Sequence, residues 1–196
     1  MSYTGKMIFV LGVSGSGKGT VIDEMIASDL WLKQLKSYTT RLLRPWEING
    51  QDYHHITMEE FQKAIDAGDF LEYQQNYKLD WYGTKMSDVM DVLIQWEHAV
   101  KETDMKWLIS ISQNHPDVRE ATRSIFINVD DETMRQRISS RAPTPEDIIQ
   151  RRVETAHEER PLAHDYCTNV IDGNRSREEV AAEAYELIKS YLQENK

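Results

Sequence analysis

Cysteine occurs once in the 196 residues, at Cys167. No disulfide can close within the chain, and one thiol cannot build a thiolate zinc site. With 5 prolines and 9 glycines, collagen-like and low-complexity classes are excluded as well. No apolar run approaches the roughly 20 residues that a spanning helix needs. Residues 1–6 carry none of the charged stretch, apolar stretch and cleavage site of a secretory signal, so a cytoplasmic location with no membrane partner is expected. Positive charge is not in excess either. Lys and Arg number 23 against 33 Asp and Glu, for a formal net charge of −10, which argues against a nucleic-acid partner. The histidines show no metal-ligand spacing. His54 and His55 are adjacent and face opposite ways on a strand. No Ser-His-Asp or Cys-His arrangement is detectable.

The remaining composition, 40% hydrophobic and 29% charged, is that of an ordinary globular domain. Residues 7–11 (MIFVL) form a continuous apolar run before a glycine-rich stretch and read as a buried parallel strand. Residues 20–27 then read as a helix, which makes a βαβ opening. Two further core strands are expected at 107–111 (WLISI) and 124–129 (SIFINV), and a weaker one at 169–171 before a turn at 172–174. Helices are expected at 116–122, at 130–141 with Asp130 and Asp131 at its start, and at 176–191. For the last, Ser176 and Glu179 have capping-box spacing. Residues 37–82 break the rhythm with turn residues, one helix at 58–67 ending at Gly68, and short strands at 53–56 and 70–73. The charged segment 143–160, with two prolines and several arginines, reads as a helical cover.

The chemistry begins with Gly12-Val13-Ser14-Gly15-Ser16-Gly17-Lys18-Gly19-Thr20, placed between a strand and a helix. Glycines let the backbone wrap so that successive N–H groups converge on phosphate oxygens. The helix N-terminus adds positive potential, and Lys18 supplies a movable charge for the β- and γ-phosphates. The loop predicts an ATP site. Gly19 stands where a hydroxyl for Mg²⁺ is usual, so Mg²⁺ is expected with its protein ligand unassigned.

Next come Ser37-Tyr-Thr-Thr-Arg41-Leu-Leu-Arg44, then Gly50-Gln-Asp-Tyr53, Phe70-Leu-Glu72-Tyr and Tyr82-Gly83-Thr84. In order and spacing these segments resemble those of guanylate kinases, and the likeness covers most of the chain. The resemblance implies a three-layer α/β fold of the P-loop NTPase type with a mostly parallel central sheet. It also implies a core of about 1–36 and 85–196, an inserted mixed α+β GMP-binding region of about 37–84, and a helical lid of about 142–160. It assigns Arg41, Arg44, Tyr53 and Tyr82 to the GMP phosphate, where guanidinium forks match phosphate oxygens. Glu72 would accept from guanine N1–H and N2–H₂, while Ser37 and Thr84 would donate to O6, with Gly83 between the flanking contacts. Arg137, Arg141 and Arg152 would be lid arginines that neutralise the transferring phosphoryl group. Arg137 and Arg141 are four apart and share a helix face.

One departure is expected. Guanylate kinases carry an Asp-x-Asp pair after the strand that follows the insertion. The equivalent stretch here is residues 107–115, where both aspartates appear as serines, Ser110 and Ser112, with Ser112 left to hydrogen-bond the base. The implied reaction is phosphoryl transfer from ATP to GMP. Two other readings are a P-loop kinase of the same fold acting on another nucleoside monophosphate or a ribose bisphosphate, and a non-catalytic binding module. Oligomeric state is open.

Overall fold

The computed structural model describes residue 3 and residues 5–76, 80–95 and 97–194. Residues 77–79 of the expected insertion lie outside them. The chain begins with β1 (Lys6–Gly12), α1 (Lys18–Ala27), β2 (Leu32–Gln34), β3 (Tyr38–Thr39) and β4 (His54–His55). It continues through α2 (Met58–Ala67), β5 (Phe70–Asn76), β6 (Asp80–Lys85), α3 (Met86–Ile94) and β7 (His98–Glu102). Then follow α4 (Met105–Asn114), α5 (Pro116–Glu120), β8 (Thr122–Asn128) and α6 (Asp131–Arg141). The last elements are α7 (Glu146–Tyr166), β9 (Asn169–Asp172) and α8 (Arg177–Gln193).

Five strands form a wholly parallel sheet in the order β2-β7-β1-β8-β9. Its centre is the MIFVL run of β1, buried on both faces as a covered parallel strand must be. Ile8 and Val10 face the layer of α1 and α8. Met7, Phe9 and Leu11 face the opposite layer, which holds α3, α4 and α7. The α/β expectation therefore holds, with three layers and a parallel sheet. At the start of α8, Ser176 and Glu179 form the reciprocal capping box that their spacing predicts. Among the described residues no helix is long and apolar enough to cross a membrane.

The expected strand at 107–111 is corrected: these residues lie within α4. Trp107, Leu108 and Ile111 are buried, and that spacing puts them on one helix face. The Asp104 side chain caps the helix by accepting from the Trp107 N–H at 3.0 Å. The strand after the insertion is instead β7, whose sequence HAVKE is too polar to stand out as an apolar run. Ser110 and Ser112 thus do not end a strand. Ser112 donates to the Leu108 carbonyl one turn back, at 2.8 Å.

A second sheet, ordered β4-β3-β6-β5, belongs to the segment between β2 and α3 and carries a small core of its own. Phe61 from α2 is wholly buried and stacks on Phe70 with ring centroids 4.5 Å apart. Thr57 and Glu60 cap α2 reciprocally, and Gly68 ends it in the left-handed conformation at φ 70°. Because this core is separate, Phe61→Ala should cost roughly 3–5 kcal/mol locally. Hydrogen exchange is expected to quicken across β3, α2, β5 and β6 while β1 and β8 amides keep their protection. Equal loss in both sheets would contradict the separation.

Candidate active site

The carboxyl ends of β1 and β7 open into a cleft of ≈ 730 Å³. Ser14 and Lys18 line its floor, Tyr53 and Glu72 one wall, and Arg141 and Arg152 the other. In the floor loop, Gly12, Gly15 and Gly17 adopt φ of 152°, 76° and 92°, values that side chains resist. A Cβ on Gly12 would sit 2.3 Å from the Ile127 carbonyl oxygen. Gly17 precedes α1 and supplies no side-chain cap, which leaves the first-turn N–H groups for an anion. Lys18 Nζ donates to the carbonyls of Gly12 (2.9 Å) and Val13 (3.3 Å) and lies 3.8 Å from Glu102 Oε1. Ser16 Oγ is buried with no hydrogen-bond partner. Nothing lies within 4 Å of a Cβ built on Gly19, so glycine there is not required by space. Thr20 follows in the first turn of α1.

The wall that carries Tyr53 is built around a part-buried ion pair. Arg41 is held at 2.6 Å by Glu47 and lies over the Tyr53 ring, 5.4 Å from its centroid. Tyr53 packs edge-on against Tyr82 at 5.9 Å. Glu47 also accepts from the Arg44 N–H at 2.9 Å, and Arg41 beside it holds its carboxyl below the usual carboxylate range. Arg44 itself is exposed and stands outside the cleft lining.

Above them, Glu72 of β5 pairs across to Thr84 of β6, next to a register shift between Phe70 and Glu72. Gly83 lies beside them, where a Cβ would meet Phe70 at 2.9 Å. Glu72 is only 7% exposed, and its Oε2 and the Thr84 Oγ1 are buried without hydrogen-bond partners. An ionised group so placed needs partners. Burial drives the Glu72 carboxyl well above the usual range, and the Lys101 ammonium pulls it back. Ser37 Oγ accepts from Lys101 Nζ at 2.7 Å.

On the opposite wall, Arg152 reaches Ser14 Oγ at 3.4 Å, whereas Arg151 pairs outward with Asp147. Arg137 lies over the loop, its Cβ 3.5 Å from a Cβ built on Gly15. Arg135 pairs with Glu146 on the outside.

Among the cleft residues that escape the sequence reading are Glu47, Glu159, Lys101, Glu102 and Asp104. The last two follow from the corrected strand. Glu102 ends β7 beside Lys18, and Asp104 accepts from Gln74 at 2.5 Å. An acidic pair with one residue between therefore stands after the strand that follows the insertion, as Glu102-Thr103-Asp104. Ser112 has no place in the cleft lining. The signal was available in Asp104, a helix-capping residue type three before Trp107, from whose N–H it accepts. Glu47 and Lys101 carry no pattern that distinguishes them from surface charges.

The guanylate kinase family model matches residues 4–194 of the chain. A guanylate kinase of Rubrobacter xylanophilus is 34% identical over 179 residues, covering 90% of this chain and 91% of that one. One from Bacteroides thetaiotaomicron is 32% identical over 190 residues, covering 96% and 91%. In fold, the chain matches the crystal structure of guanylate kinase from Anaplasma phagocytophilum with a TM-score of 0.72 over 100% of this chain and 90% of that one, at 23% identity.

Glu159 of α7 lines the same cleft, and burial pushes its carboxyl up to about 7 against the pull of Lys18. A glutamate in the unfolded chain titrates near ~4.3. Between these values the folded state holds the extra proton, so this group makes stability fall as pH rises from ~4.3 through about 7. Glu159→Gln should therefore match the wild type in urea unfolding only below about pH 4 and exceed it increasingly from there up to about pH 7. A pH-independent difference would contradict the assignment.

Proposed function

The chain belongs to the guanylate kinase family and transfers the γ-phosphoryl group of ATP to GMP, giving ADP and GDP; we propose that its cleft divides the work as follows. The amides of the glycine loop and Lys18 hold the ATP phosphates, Lys18 leaving the carbonyls of Gly12 and Val13 to do so. Arg41, Tyr53 and Tyr82 hold the GMP phosphate, Arg44 would join them only by swinging in from outside the cleft lining, and Glu47 is the positioning residue that aims Arg41. Ser37, Glu72 and Thr84 take the guanine edge, with Gly83 keeping β5 and β6 close enough for them to converge.

One observation carries this assignment: Glu72 and Thr84 stand opposite each other across the strand pair, and Glu72 Oε2 and Thr84 Oγ1 are buried with no hydrogen-bond partner beyond each other. Guanine supplies what they lack. Its N1–H and N2–H₂ donate to a carboxylate and its O6 accepts from a hydroxyl, and a base without that pattern leaves buried groups unpaired.

The reaction requires no side-chain nucleophile. A GMP phosphate oxygen forms a bond to the γ-phosphorus as the bond to the β–γ bridging oxygen breaks, and ADP leaves with that electron pair. Charge spreads over the equatorial oxygens, and Lys18 with Arg137, Arg141 and Arg152 neutralises it. Closure of the arginine-bearing helices would exclude competing water. Bound Mg²⁺ supplies further neutralisation of the phosphates. The groups of this chain that suit it are oxygens at the loop, the Glu102 carboxylate with the Ser16 and Thr20 hydroxyls. Mg²⁺ commonly keeps several waters and is held largely by substrate phosphates. The reading carries a cytoplasmic location with it, where ATP and nucleoside monophosphates are supplied.

ADP release should be measured with ATP, Mg²⁺ and each of GMP, dGMP, AMP, CMP and UMP. Turnover is expected with guanine nucleotides only, and Glu72→Ala should lower kcat/KM for GMP by at least about 100-fold, the loss of two bonds to a charged group. Glu47→Ala should raise KM for GMP by about tenfold and change kcat less, since it loosens binding of the acceptor phosphate rather than the transferring group. Turnover with no nucleotide despite ATP binding would refute the reading.

A further inference from the structure

A wholly buried lysine lies beneath the base pocket. Lys101 is 1% exposed and occupies an inward position of β7, opposite Phe9 of β1, where the neighbouring side chains are core hydrophobics. Burying an ammonium there is costly unless it is partnered. Its partners are few and specific. Nζ donates to Ser37 Oγ at 2.7 Å and lies 5.3 Å from the centre of the Trp107 ring. The carboxylates of Glu72, Asp88 and Glu102 sustain its charge against desolvation, while Lys36 opposes it.

An ammonium has donors only. Ser37 Oγ must accept from it, so the single hydroxyl proton of Ser37 is free to be given away from Lys101. The same charge holds Glu72 nearer its ionised, acceptor-only state. The neighbourhood thereby acquires a fixed polarity: a donor and a positive field at Ser37, an acceptor at Glu72.

We propose that Lys101 is a specificity-determining positioning residue, which orients the Ser37 hydroxyl as a donor and so selects a 6-oxopurine acceptor over a 6-aminopurine. The proposal rests on the GMP reading above and deepens it. A carbonyl at position 6 accepts the Ser37 proton and lies favourably in the ammonium field. An amino group at that position presents hydrogens to a donor and positive charge to positive charge. Without Lys101, the Ser37 hydroxyl rotates freely and serves either group.

The test compares wild type, Lys101→Met, Ser37→Ala and the double variant, each with GMP, AMP and the monophosphate of 2-aminopurine riboside, which keeps the 2-amino group and lacks both the 6-oxo group and the N1–H. Replacing a buried charge by a methionine of similar length is often tolerated, and thermal unfolding with ATP affinity checks that it is here. Lys101→Met should lower kcat/KM for GMP at least about tenfold, the scale of one charge-supported hydrogen bond. It should narrow the GMP-to-AMP ratio and weaken the 2-aminopurine nucleotide clearly less than GMP, since only the Glu72 contact to the 2-amino group is then at stake. Because Lys101 acts through Ser37, the double variant should lose little more than Lys101→Met alone. An equal loss with all three acceptors, or additive losses in the double variant, would overturn the inference and leave GMP phosphorylation standing. No turnover of GMP by the wild type would overturn both.

Discussion

The parallel pairing of β1 with β7 and β8 sets the geometry from which the cleft follows. Parallel strands send all their carboxyl ends to one edge of the sheet, and ligands of such sheets bind there. In this register Val10 stands opposite Glu102 and Gly12 opposite Ile127. The phosphate loop and the acidic segment Glu102-Thr103-Asp104 therefore leave the sheet side by side. Lys18 meets Glu102 for that reason, and Lys101, one residue earlier, points into the layer below the base pocket. A one-residue slip of β7 would reverse both side chains and dismantle the site.

Two structures approach this edge from opposite sides. The insertion stands on its own aromatic core and presents Arg41, Tyr53, Glu72 and Thr84. The helical cover is rooted through Arg160 of α7, which bonds Asn128 at 3.0 Å, the Val129 carbonyl at 2.7 Å and Asp131 at 2.7 Å. These bonds fasten α7 to the end of β8 and the start of α6. Arg137, Arg141 and Arg152 thus project from elements anchored at the sheet edge itself.

Sequence reading served well where physics is local. The apolar run of β1 and the glycine loop are contiguous patterns, and so are the capping box at Ser176 and the insertion motifs, which made the fold class legible and named Lys18, Ser37, Tyr53, Glu72, Arg141 and Arg152, residues the cleft brings together. It misread 107–111 because WLISI suits a buried strand as well as a helix face, and only the cap at Asp104 separates the two. It overlooked β7 because Lys101 interrupts the apolar pattern. That interruption is the functional feature: a charge enters the core where the site needs it. Propagating the single misreading displaced the acidic pair onto Ser110 and Ser112. Glu47 was illegible for another reason, since its role exists only once the 41–47 turn brings it back onto Arg41.

The account stands on guanine being read at the junction of β5, β6 and β7, with its phosphate aimed at the loop. A crystal structure of the chain with ADP and GMP tests that most directly. It should show the guanine N1–H and N2–H₂ on Glu72, O6 on Ser37 and Thr84, and the GMP phosphate on Arg41 facing the ADP β-phosphate. A GMP base bound away from Glu72, with Ser37 still closed onto Lys101 alone, would contradict it.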